Sequence, residues 1–272
     1  MRIEDLVALT LEEDIAFGDI TTRLTVPAGT EAEAGIIAKA EGVLAGIDVA
    51  GEVFQQVDPS LDYIPLLVEG SDLVYGSVIA RLQGPAAAIL TAERTALNFL
   101  QHLSGIATLT RAYVRASGGR IGILDTRKTT PLLRSLEKEA VRTGGGCNHR
   151  FGLFDGVLIK DNHIRAAGGI EAAVTAARAG AQHLLKIEVE TQSLAQVEEA
   201  LAAEADIIML DNLSTGDMRR AIEIIDGRVQ VEISGGVTLE RIPELAALGA
   251  DFVSVGALTH SVKALDISLE IV

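Results

Sequence analysis

From residue 121 onward the chain alternates short apolar runs of strand type with Ala- and Leu-rich stretches of helix type. The runs fall at 121–125, 156–161, 184–190, 206–211, 229–234 and 252–256. Between them lie helical stretches at 170–179, 193–203, 215–225 and 239–248. Strands that alternate with helices of this length predict parallel pairing, and enough repeats predict a sheet closed, or nearly closed, into a barrel. Each run ends in a polar residue or a glycine, and the carboxyl ends of such strands form the face that carries chemistry.

The first 110 or so residues lack this rhythm. Residues 2–13 predict an amphipathic helix, and 32–39, 42–47, 62–67 and 77–82 read as strands broken by Gly, Pro and Asp. Pro85 is expected to open a long helix running to about residue 103, since proline suits a first turn. Gly105 is expected to end it, with a second helix over 106–116. The expected division is an α+β sandwich domain at 1–110, an α/β barrel domain at 111–264, and a strand at 265–272 returning to the N-terminal domain.

Composition narrows the function classes. With 272 residues, 48% of them hydrophobic, the chain can bury a sizeable core. Its net charge of −15 disfavours nucleic acid, whose phosphates call for a basic face. Aromatics at 3% leave few platforms for stacking bases. No run approaches the ~20 apolar residues of a membrane span, and the acidic, amphipathic start does not resemble a signal peptide, so the expected location is the cytoplasm. The single cysteine, Cys147, rules out an intramolecular disulfide and a cysteine-based zinc cluster. It reads as a small buried residue rather than a nucleophile.

Against the acidic background, Arg127, Lys128, His149, Arg150 and Lys160 gather within one segment. Solvated charges paired with Asp and Glu would be the ordinary reading. Lys160, however, ends the apolar run Val157, Leu158, Ile159, and Arg127 and Lys128 come just after the run at 121–124, where an unpaired charge is costly to desolvate. Cations so placed predict an anion pocket. Gly144, Gly145 and Gly146 nearby permit close backbone approach.

Lys186, Glu188 and Glu190 are spaced by two, so on a strand they share a face. Glu190 and Asp211, each at a run's end, form a candidate carboxylate pair for magnesium, which prefers oxygen ligands. No His/Cys set suggests a transition metal. Ser234, Gly235 and Gly236, then Val255, Gly256 and Ala257, stand at the ends of the last two runs and suit a phosphate, with the next helix adding its positive end. Arg94 reads as a helix residue paired with Glu93 or solvent, and His102, His183 and His260 carry no local signature.

The segments LEEDIAFGDITTRLTVP, GPAAAILTAERTALNFLQHLSGIATLT, DTRKTTPLLRSLEKEAVRTGGGCNHRFGLFDGVLIKDNHI, IEVET, LDNLS and ISGGV together resemble the quinolinate phosphoribosyltransferase family over nearly the whole chain. The resemblance implies transfer of phosphoribosyl from PRPP to quinolinate with decarboxylation, giving nicotinate mononucleotide, pyrophosphate and carbon dioxide. It also implies an open barrel of about six strands and a homodimer. Quinolinate-binding cations then fall on Arg127, His149, Arg150 and Lys160, with Thr126 and Lys128 beside them. Arg94 matches an arginine supplied by the partner subunit. Glu190 and Asp211 match acids near ribose and magnesium, and residues 234–236 and 255–257 match phosphate loops. Lys128, Lys160, Glu190 and Asp211 are thereby implied as the catalytic set. The chain departs from the family at Leu132 and Ala16, where glycine is commoner. Competing readings are a related phosphoribosyltransferase-like protein associated with molybdenum transport and a catalytically silent anion-binding barrel.

Overall fold

The computed structural model describes residues 2–272. In chain order it contains α1 (Ile3–Ile15), α2 (Ile20–Thr25), β1 (Glu31–Ala38), β2 (Gly42–Val43), α3 (Ile47–Val57), β3 (Asp62–Pro65), β4 (Asp72–Leu73), β5 (Val78–Pro85) and α4 (Ala86–Ser117). The middle of the chain forms β6 (Gly122–Leu124), α5 (Arg134–Thr143), β7 (Val157–Ile159), α6 (Asp161–Ala167), α7 (Ile170–Gly180), β8 (Ile187–Thr191), α8 (Leu194–Ala202) and β9 (Ile207–Asp211). The chain closes with α9 (Thr215–Ile225), β10 (Gln230–Ser234), α10 (Ile242–Ala246), β11 (Phe252–Ser254), α11 (Ala257–His260) and β12 (Ile267–Ile271).

Two compact units form. The first comprises Met1–Arg111, Thr130–Gly145 and Ser261–Val272, and the second Ala112–Thr129 and Gly146–His260. The segment Thr130–Gly145 therefore groups with the first unit, where the sequence division puts it in the barrel. The cause is a set of polar ties within that unit. His102 meets Glu137 at 2.8 Å, and Arg111 donates to the carbonyls of Gly144 and Thr143.

In the first unit, β12, β1, β5 and β3 form an antiparallel sheet of four strands in that order. β12 joins along the free edge of β1, from Ala34 opposite Ile271 to Ala38 opposite Ile267. The side chains of Ile36, Ile79 and Leu82 from the sheet and Phe54, Ile89 and Leu100 from α3 and α4 are fully buried, each removing on the order of 2 kcal/mol worth of apolar surface from water. Two expectations change here. Pro85 ends β5, paired with Glu31, and α4 opens at the next residue but runs unbroken through Gly105. Glycine is needed at 105 for packing, because a Cβ there would lie 2.4 Å from the Lys263 carbonyl oxygen. The strand expected at 42–47 shortens to β2, and α3 starts where it was to end.

The second unit carries the parallel sheet of six strands, ordered β6, β11, β10, β9, β8, β7, with β6 and β7 at the two edges of the open barrel. All five residues of β8 are buried, as expected of a strand covered on both faces. Register places Ser234 beside Asp211 and Glu190 beside Met209, so the carboxyl ends come level. Leu124, Lys160, Thr191, Asp211, Ser234 and Ser254 stand at that rim.

Candidate active site

A pocket of about 400 Å³ opens at the carboxyl ends of the barrel strands. Its lining includes Thr126, Arg127, Lys128, His149, Arg150 and Lys160, and with them the acidic Glu190 and Asp211 and the hydroxyl of Ser234. The remaining wall is made by Leu158, Met209, Asn212, Glu232 and Ser254. The cationic segment of the sequence thus converges on one cavity of a size suited to a small ligand.

Asp125 explains how the NHR motif reaches the strand ends. It lies just beyond β6, is fully buried, and accepts from the side chain of Asn148 at 2.6 Å and from the backbone N–H of His149 at 2.9 Å. Cys147 pairs with Leu124 in a parallel bridge, so residues around it prolong the edge beyond β6. Its thiol is exposed, contrary to the burial expected from the sequence, because only its backbone takes part in that bridge. Arg150 donates to the carbonyl oxygen of Gly156 at 3.0 Å. Burial, then the charge of Arg127, lowers its pKa. The guanidinium is thus poorly solvated and faces a second cation, a state that a bound anion would relieve.

Lys160 caps α6 and sends its Nζ to Glu190 Oε2 at 2.6 Å, with the lysine half exposed and the glutamate largely buried. Asp211 Oδ2 accepts from Asn212 Nδ2 at 2.8 Å and Gln192 Nε2 at 3.4 Å. Lys186, expected on the same face as Glu188 and Glu190, lies before the start of β8 and turns outward to Gln230.

His149 is oriented from both ring nitrogens. Its Nδ1 accepts the N–H of Arg150 at 2.7 Å, leaving the ring hydrogen on Nε2. Nε2 faces Glu188 Oε2 at 3.1 Å and Glu232 Oε2 at 3.6 Å. In this arrangement the imidazole links the backbone of the NHR loop to two buried carboxylates of the barrel interior.

The glycine loops are explained by close approach. At Gly235, φ is +87° and a Cβ would fall 2.2 Å from Asn212 Oδ1. At Gly256, a Cβ would lie 3.1 Å from both the His260 ring and the Lys128 side chain. Thr259 donates to the Lys128 carbonyl oxygen at 2.8 Å, tying the loop at 255–257 to the loop that carries Arg127. Gly235, Gly236, Val255, Gly256 and Ala257 support the rim but are absent from the pocket lining. Beyond the first loop the chain enters a 3₁₀ turn (Leu239–Arg241), and beyond the second the single turn α11. Only the second loop leads directly into a helix N-terminus of the kind expected behind both, and that helix is a single turn.

Arg94 stands apart from this set. It lies on α4 in the first unit, 60% exposed, with Glu93 4.0 Å away. Sequence reasoning missed Asn212, Glu232, Leu158, Met209 and Ser254. The spacing of two between Glu232 and Ser234 in VEIS is a signal that could have found the first acid, since Ser234 stands at a strand end.

Comparison with known proteins gives this geometry its context. The family model "Quinolinate phosphoribosyl transferase, N-terminal domain" matches residues 19–104, and the corresponding C-terminal domain model matches residues 106–270. A probable nicotinate-nucleotide pyrophosphorylase [carboxylating] of Bacillus subtilis is 48% identical over 272 residues, covering 100% of this chain and 94% of the relative. Quinolinate phosphoribosyltransferase [decarboxylating] 1b of Nicotiana tabacum is 44% identical across 99% of this chain and 82% of its own length. The crystal structure of NadC from Streptococcus pyogenes superposes with a TM-score of 0.95 at 45% identity, over 99% of this chain and 96% of that one. Matched along nearly its full length by both domain models, the chain belongs to the quinolinate phosphoribosyltransferase family.

Proposed function

We propose that the barrel pocket binds quinolinate and PRPP side by side, with Arg127, Arg150 and Lys160 meeting the carboxylates and Lys128 meeting the phosphates. The reaction is transfer of the phosphoribosyl group to the quinolinate nitrogen with decarboxylation, giving nicotinate mononucleotide, pyrophosphate and carbon dioxide in NAD biosynthesis. The observation that carries the site assignment is the gathering of Arg127, Lys128, Arg150 and Lys160 in one cavity of a chain whose net charge is −15.

Two adjacent carboxylates are costly to desolvate, and planar guanidinium groups offset that cost while fixing the ring. Lys160 is held by Glu190 before substrate enters. A dianion that draws the ammonium toward itself frees the Glu190 carboxylate for the positive charge that develops on the ribose. Asp211, at the end of the next strand, serves the same charge. Thr126, Ser234 and the loops at 234–236 and 255–257 complete the phosphate side. Once the ring nitrogen is quaternised it withdraws electrons from the adjacent carboxylate bond, so carbon dioxide leaves after transfer and no covalent enzyme intermediate is needed.

The oxygen chemistry of Glu190 and Asp211, both lining the pocket, fits magnesium. When bound, the ion supplies charge neutralisation for the departing pyrophosphate. The assembly proposed is a homodimer in which each site borrows Arg94 from its partner. The exposure of Arg94 supports this, as do the apolar side chains of Phe17, Ile20 and Leu24, which are 104%, 63% and 75% exposed along one short segment. No helix is long and apolar enough to cross a membrane among the described residues, and a site for two highly charged substrates suits a cytoplasmic enzyme.

The direct test mixes the protein with quinolinate, PRPP and magnesium and tracks the formation of nicotinate mononucleotide. Nicotinate, with one carboxylate fewer, is expected to be a poor substrate, because a pocket built for a dianion leaves cations unpaired around a monoanion. Equal kcat/KM for the two acids would refute the dianion pocket, and binding without turnover would favour a silent barrel.

A further inference from the structure

Loss of carbon dioxide leaves the bonding electron pair on a ring carbon, and that carbon has to gain a proton before the nucleotide is complete. Among the residues assigned to binding, Lys160 is held by Glu190 and Lys128 is assigned to the phosphates, which leaves the proton for this carbon unassigned. Glu232 lies in the middle of β10 and is only 2% exposed, yet it lines the pocket beside Leu158, Met209 and Ser254. Leu158 and Met209 suit the flat face of an aromatic ring, and Ser254 hydrogen-bonds the Glu232 carboxyl group.

The surroundings of Glu232 leave it a proton to carry. Its Oε1 has no hydrogen-bond partner among the described residues, and the same is true of Glu188 Oε1. Their Oε2 atoms converge on the single hydrogen of His149 Nε2, and the facing atoms of the three groups lie within 4.8 Å of one another. Two carboxylates buried this deeply, with facing oxygens this close, disfavour each other's charge, so that one of them is favoured to hold a proton. Glu188 makes the shorter contact to Nε2. Burial, and after it the charge of Glu188, pushes Glu232 up to about 8. The charged groups around this wall are Glu188 on β8, Arg150 beside His149, and the pocket's Arg127, Lys128, Lys160, Glu190 and Asp211.

We propose that Glu232 is the acid that protonates the ring carbon vacated by carbon dioxide. The electron pair of the broken C–C bond forms the new C–H bond, the O–H bond of Glu232 breaks, and its carboxylate recovers a proton from water when product leaves. The proposal rests on the decarboxylating transfer assigned to this pocket.

Single-turnover quench experiments separate the two chemical steps, since pyrophosphate reports transfer and nicotinate mononucleotide reports completion. Glu232→Gln is expected to release pyrophosphate within about threefold of the native rate and to form nicotinate mononucleotide at least ~100-fold more slowly, the usual scale of a lost general acid. Glu232→Asp, which keeps an acid, should recover part of the second rate. Equal slowing of both steps, or no slowing of the second, overturns the proposal. The native chain gives a reading that needs no variant. Product formation should decline as pH rises through about 8 while pyrophosphate release does not, and parallel profiles overturn the role of Glu232. A native chain that forms no nicotinate mononucleotide at all would instead refute the activity.

Discussion

Leu132 and Ala16, the two positions at which the chain departs from a commoner glycine, both have left-handed backbone, with φ of 68° and 43°. A side chain costs roughly 1–2 kcal/mol in that region, against roughly 0.5–1 kcal/mol for the extra unfolded-state freedom of glycine. Leu132 is 68% exposed, so little apolar contact is at stake. Leu132→Gly is therefore expected to raise stability by up to about 1 kcal/mol, read as a higher denaturant midpoint at unchanged slope. An unchanged or lower midpoint would mean that the leucine side chain repays its strain. Removing a pocket cation acts on function instead. Arg150→Ala and Lys160→Ala should each cost at least ~2 kcal/mol of transition-state stabilisation, or about 30-fold in kcat/KM for quinolinate, with the fold intact. Lys160 was legible in the sequence because it ends an apolar run, where a charge is conspicuous, and Arg150 because it falls in the same cation-rich segment. Glu188 was legible only as one of three charges sharing a strand face and Glu232 not at all, since their meeting over His149 exists only once β8 and β10 share the barrel interior. The orientation of the His149 ring was equally hidden, being set in part by the backbone N–H of its neighbour.

Among the elements, α5 does more than bridge. Glu137 on it is fully buried, accepts the Thr130 N–H at 3.1 Å and meets His102 Nε2 at 2.8 Å. Thr130 is two residues from Lys128 along the chain, so this contact fixes the end of the segment that carries Arg127 and Lys128. Glu137→Ala leaves a buried donor without its acceptor and should destabilise by roughly 3 kcal/mol, with a rise in KM for quinolinate. Glu137→Gln keeps an acceptor for Thr130 and should recover most of the KM, which a purely global loss of stability would not predict. The barrel was readable in the sequence because its strands are short, apolar and separated by periodic helices. α3 was not read in the sequence, although Ile47, Ala50, Val53 and Phe54 are buried at helical spacing, because its first residue overlaps a run of strand type. Gly105 misled for the opposite reason. It looks like a stop, and its actual cause, the Lys263 carbonyl pressed against α4, lies far along the chain.

At the scale of the whole molecule, the proposed exchange of Arg94 across a dimer makes activity a property of pairs. Arg94→Ala and Lys160→Ala chains should each be nearly inactive alone. Mixed at equal concentration and allowed to exchange, about half the dimers are hybrids with one intact site, so roughly a quarter of native activity should return. Mass spectrometry that shows exchange without recovery would place Arg94 outside any shared site. Neither unit is one continuous piece of chain, and this was the least legible part of the sequence, because the return of 130–145 to the first unit depends on contacts such as His102 to Glu137 that leave no local mark. The pairing of β12 with β1 carries this interleaving to the chain's last residues. During synthesis on a ribosome, β1 emerges early and finds β5 soon after, but its other edge waits for residues 267–271. At ordinary elongation rates that wait lasts roughly ten to fifty seconds. Throughout it the nascent protein shows an open strand to every neighbouring chain, with Glu31 and Glu33 near its start as the charges that discourage a wrong partner.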